Sequence, residues 1–134
     1  MAFRMSELQG IGPEVVAALK GAGLDESAKL LAAVAQPEAR RALAQRLNIP
    51  ENVLLELGNR ADLGRIKGIG PVYSDLLEFA GVDTVAELAR RNPDNLFARL
   101  QEVAAHHHVR RLPTAAEVAD WIAQAQQLER GIFY

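Results

Sequence analysis

Apolar residues recur at helical spacing along most of the chain. Val118, Trp121, Ile122, Ala125 and Leu128 stand three or four apart and predict one buried face of a last helix. Thr114, with Glu117 three residues on, gives that helix a capping box, and Thr84 with Glu87 repeats the device. Asn92-Pro93 opens a helix, and Pro71 suits the first position of another that runs to Ala80 and stops at Gly81, a left-handed cap. In the first half the pattern predicts helices near 14–22, 26–35, 37–47 and 51–60, with 59–64 leading as helix into the next turn. No stretch of four or more residues alternates in the β-branched, aromatic manner of a strand. The expected fold class is all-α.

The chain repeats itself. Leu8-Gln9-Gly10-Ile11-Gly12-Pro13 matches Ile66-Lys67-Gly68-Ile69-Gly70-Pro71 at an offset of 58 residues. The register persists through Leu19 and Leu77, Gly23 and Gly81, Asp25 and Asp83, and Leu30 and Leu88. After a short gap Pro37 answers Pro93, and Ile49-Pro50 answers Leu112-Pro113. Two matched segments of this length predict a pseudo-two-fold duplication. Residues 1–58 form one repeat and 59–134 the other, packed as one unit with no Ser/Pro-rich linker between them.

Leu63-x-x-Ile66-x-Gly68-Ile69-Gly70 resembles the helix-hairpin-helix motif of DNA polymerases, ligases, repair nucleases and strand-exchange recombinases. Met5, Leu8, Gly10, Ile11 and Gly12 fit the same template. The small residue the motif wants four after its second glycine is Ser74 in one copy and, as a departure, Val16 in the other. Residues 60–89, with 110–113 and Trp121-Ile122, resemble an uncharacterised bacterial family that carries two such motifs. The resemblance implies a tandem duplicated helix-hairpin-helix (SAM-like) helical bundle, and a hairpin that grips sugar-phosphate backbone without reading sequence. The physics agrees: a glycine turn delivers the chain into a helix N-terminus with free N–H groups and a positive dipole end, where a phosphate can sit. A Gly-x-Gly turn equally lets two helices pack closely, so a protein-interaction or scaffold module, with a homodimer as one form, is the alternative.

Charge separates the two copies. The chain carries a net charge of −2, without the basic excess of a dedicated nucleic-acid binder. Each half sums close to −1, so any asymmetry is local. The first turn has Glu14 just after Pro13; the second has Arg65 and Lys67 and meets no acid until Asp75. A carboxylate at a helix N-terminus competes with an incoming phosphate. The first copy is therefore expected to be structural. The expected DNA-backbone site is the second, formed by the amides of Gly68, Ile69, Gly70 and Val72 with Arg65 and Lys67; Pro71 supplies no N–H. Tyr73, expected at the surface, and Arg110 and Arg111 are its auxiliary candidates.

The remaining side chains point to no chemistry. Without cysteine there is neither disulfide nor thiolate metal site, and a reducing, cytoplasmic setting is expected. No signal peptide or membrane-spanning run is read. Adjacent residues of a helix point about 100° apart, so His106-His107-His108 reads as a polar helix end and no metal or other cofactor is expected. The acids are scattered rather than clustered for metal ions, and no nucleotide loop or nucleophile motif occurs, so a binding module is expected rather than an enzyme. Arg90-Arg91 and Arg99, like Arg40-Arg41 and Arg46, read as solvated helix faces, and Trp121 as core. Ile132-Phe133-Tyr134 either folds back on the core or marks a contact surface.

Overall fold

A computed structural model of the chain describes residues 2–107, 109 and 111–134. Among them a 3-10 turn, Met5–Glu7, precedes eight helices: α1 Pro13–Gly21, α2 Ser27–Val34, α3 Pro37–Leu47, α4 Glu51–Leu63, α5 Pro71–Phe79, α6 Val85–Ala89, α7 Pro93–His106 and α8 Ala115–Gln127. The fold is all-α. Among the described residues the β-type pairing is a single antiparallel bridge between Arg4 and Glu26.

The helix ends follow from local chemistry. Thr114 and Glu117 form the expected reciprocal capping box of α8, and Asn92 accepts the Asn95 amide at 3.1 Å. The Thr84 box is only half made. Thr84 Oγ1 accepts the Glu87 amide, but the Glu87 carboxylate turns to Arg91 at 3.3 Å. Leu128 leaves the predicted stripe: α8 stops at Gln127, Leu128 turns into extended backbone, and its side chain is exposed.

Residues 58 apart share backbone geometry. Gly10 and Gly68 have φ of +83° and +99°, and Gly23 and Gly81 have +74° and +86°. Leu24 N–H donates to Leu19 at 2.8 Å, and Val82 N–H to Leu77 at 2.9 Å. Packing matches too: α2 and α3 lie on α4 as α6 and α7 lie on α8.

Two apolar clusters result. One gathers Met5, Leu19, Leu30, Val34, Leu54 and Leu57; the other gathers Leu63, Ile69, Leu77, Leu88, Leu100 and Trp121. The expected boundary at residue 58 falls inside α4, which feeds Leu57 and Ala61 to the first cluster and Leu63 to the second. The chain also crosses back at its end. Ile132, 1% exposed, lies in the first cluster, and Phe133 N–H donates to Ala35 at 2.8 Å. Arg40, expected on a solvated face, is 3% exposed. Its guanidinium donates to the carbonyls of Val34 and Phe133, each at 2.9 Å, so the tail's return is what buries it. Of the alternatives for Ile132-Phe133-Tyr134, Ile132 thus folds inward, while Phe133 and Tyr134 stay exposed beside Arg130.

Candidate functional site

Each Gly-Ile-Gly-Pro turn delivers the chain into a helix whose first residue is proline, α1 or α5. Their surroundings differ.

At the first turn, the Gln9 amide is taken by Asp75 of α5, at 3.3 Å to either carboxylate oxygen. Glu14 folds back so far that a Cβ on Gly12 would stand 2.5 Å from its Oε1. The turn opens on a cleft of about 580 Å³ whose walls include Glu14, Glu56, Asp75 and Glu78. The one base there is Arg60, 8% exposed, ion-paired to Asp75 and Glu78 and donating from Nε to Ser74 Oγ at 3.3 Å. Burial lowers the Arg60 pKa below its usual value against the pull of Glu78, Glu56 and Asp83. Burial also raises the Glu78 carboxyl, opposed by Arg60. The cleft's negative potential opposes a phosphate.

The second turn is held from behind by α8. Gln124 clasps the Lys67 peptide, accepting its N–H at 2.9 Å and donating to its carbonyl at 3.0 Å. Gly68 is required twice over: its φ of +99° disfavours any other residue, and a Cβ would stand 3.1 Å from Trp121 Nε1. The amides of Gly68, Gly70 and Val72 have no partner among the described residues. Ile69, expected as a donor, instead bonds back to the Ile66 carbonyl at 3.2 Å, and its side chain is core.

The candidate side chains separate. Lys67 is exposed at the turn. Arg65 points away from it: its guanidinium bonds Asp62 at 2.8 Å and the Glu129 carbonyl at 2.7 Å, bracing the returning tail. Asp62, 1% exposed, also accepts the Val85 amide that opens α6, at 2.8 Å. Tyr73, expected at the surface, is 8% exposed, because α8 brings Trp121 against it with ring centroids 5.1 Å apart. Arg111 is exposed and lines a cavity of about 250 Å³ with Gly68, Gly70, Pro71, Val72 and Tyr73. On the other flank Gly70 and Pro71 border a recess with Arg4, Glu7 and Glu26. Arg110 lies outside the described residues.

The other expected bases are used locally. Arg91 bonds Glu87 and the Gly81 carbonyl, and Arg99 pairs with Glu102 at 3.2 Å. His106 ends α7, and the His107 ring stacks on Phe79 at 3.8 Å; His108 lies outside the described residues. The described residues hold no group of three His, Asp or Glu placed to share a metal ion. None of their helices is long and apolar enough to cross a membrane.

Sequence reading missed Arg60, Asp75 and Gln124. Arg60 carried a signal, since it stands three residues after Leu57 on the apolar stripe of α4. Asp75 and Gln124 carried none.

A family profile matches residues 9–128. The chain belongs to that family, described as a domain of unknown function (DUF4332). The family's span takes in both turns and all eight helices, and leaves out Phe3, Met5 and the returning Ile132. No curated protein and no solved structure matches the chain.

Proposed function

We propose that this family member is a tandem helix-hairpin-helix module, non-catalytic, that holds nucleic-acid backbone at its second turn without reading sequence. The matched glycine conformations and the parallel packing of α2–α4 and α6–α8 support the duplication. One observation carries the functional reading: the two turns are chemically opposite. The first faces four carboxylates. The second sets its Gly68, Gly70 and Val72 amides beside Lys67 and Arg111, and no carboxylate lines the cavity there. Arg65, tied to Asp62 and Glu129, is removed from the contact set. With so few bases, affinity is weak and falls with salt.

The test is a titration of labelled duplex and single-stranded DNA at low and moderate salt, with wild type and Lys67→Glu. Binding at about 10 μM at low salt is expected, weakened severalfold by the substitution. No binding at low salt contradicts the reading. One feature favours the protein-contact alternative: Val72, beside the turn, is 56% exposed, and an apolar side chain gains nothing from phosphate. A dimer by light scattering that Val72→Asp dissolves, together with absent DNA binding, would support that alternative instead.

A further inference from the structure

The Tyr73 hydroxyl is buried; Arg111 bonds it as a donor, and its own proton has no acceptor. Leaving such a donor unpaired is costly, and its position is fixed by the tilted contact of its ring with Trp121. The residue lines the 250 Å³ cavity at the second turn, together with Arg111 and the backbone of Gly68, Gly70 and Val72. The lining supplies donors: the phenol of Tyr73, the guanidinium of Arg111 and the amides of Gly68, Gly70 and Val72. No carboxylate lines it. The one acid acting on Tyr73 is Glu117, whose carboxylate already accepts the Thr114 amide at 3.0 Å. Burial raises the Tyr73 pKa, opposed by Arg111, so the phenol keeps its proton at neutral pH. Space is available, since a Cβ on Gly70 would meet nothing within 4 Å.

We propose that this cavity receives the terminal phosphate of a nucleic-acid strand, held by the Tyr73 hydroxyl, the Arg111 guanidinium and the amides of Gly70 and Val72. The inference rests on the reading that the second turn meets nucleic acid, and adds that it meets a strand end. A terminal phosphate offers three free oxygens to this set of donors, and only one bond leads away from it. A phosphate within a running strand offers two, and its chain must leave in both directions. A buried hydroxyl is reached more readily by the group with one exit.

The test compares labelled single strands of identical sequence ending in 5′-phosphate, 3′-phosphate or hydroxyl, with wild type, Tyr73→Phe and Arg111→Gln. Circular dichroism checks that each variant folds. Amide NMR with thymidine monophosphate and with inorganic phosphate forms a second arm. The expected result is about tenfold tighter binding of one phosphorylated strand, lost in both variants, while Tyr73→Phe binds the hydroxyl strand as wild type does. Equal binding of all strands overturns the terminal-phosphate site and leaves the backbone reading standing. If no strand binds but the small phosphates shift the Gly70 and Val72 amides in wild type and not in Tyr73→Phe, the cavity takes free phosphate and both the strand-end assignment and the nucleic-acid reading fall. Neither strand binding nor amide shifts overturns both readings together.

Discussion

Asp75, on the helix that follows the second turn, accepts the backbone amide of Gln9 in the first turn, 3.3 Å away. The same carboxylate pairs with the buried Arg60 of α4. One side chain thus ties three elements together, and it holds the Gln9 amide as Gln124 holds that of Lys67 at the second turn. Breaking a buried ion pair leaves an uncompensated charge, at a cost of about 3–5 kcal/mol. Asp75→Ala is expected to lose about 3 kcal/mol in urea unfolding. Lys67→Ala, at the exposed turn, should leave the midpoint unchanged.

The returning tail gives a second expectation. Ile132 fills the first apolar cluster, and truncation to Ala leaves a cavity costing about 2–5 kcal/mol. Gly58 faces the same contact: a Cβ there would stand 2.7 Å from Val34 Cγ2 and 2.8 Å from Ile132 Cδ1. Gly58→Ala should therefore cost about 1–3 kcal/mol by overpacking. In a double-mutant cycle Ile132→Ala is expected to cost less in the Gly58→Ala background, because the added methyl occupies space the isoleucine vacates.

The glycines of the second turn should respond unequally. Gly68→Ala meets both a positive φ and the Trp121 indole, and is expected to destabilise by about 1–3 kcal/mol. Gly70→Ala, at φ −99° with open space around it, should unfold within about 0.5 kcal/mol of wild type. Thermal or urea melts of the two variants make the comparison.

Glu78 supplies a pH dependence. Burial raises its pKa in the folded protein above the ordinary 4.5. Between those two values the native state binds more protons than the unfolded chain, so stability falls as pH rises through the window. This contribution is favourable in mild acid and lost toward neutrality. Urea midpoints measured from about pH 4.5 to 7 should show this fall in wild type, and Glu78→Gln should flatten it.

Much of the scaffold was legible in the sequence because its signals are local. Prolines at first helical positions, caps at Asn92 and Thr114, and the glycines at 10, 23, 68 and 81 act within a few residues, and the helices begin and end where these say. What was hidden depends on residues far apart in the chain. Nothing near Arg65 announces that Glu129 will take its guanidinium, and nothing near Arg40 that Phe133 will return to it. Tyr73 read as a surface residue because Trp121, which covers it, lies on α8. The inequality of the turns was readable in Glu14 and Lys67, but the gathering of Glu56, Asp75 and Glu78 around the first was not.

Amide NMR during titration with DNA at low salt tests the central claim most directly, because both turns report in one spectrum. The Gly68, Gly70 and Val72 amides are predicted to shift as DNA is added, while those of Gln9, Gly10 and Gly12 hold their positions. Shifts confined to the first turn, or equal at both, would contradict the account of one open turn and one closed by its own carboxylates.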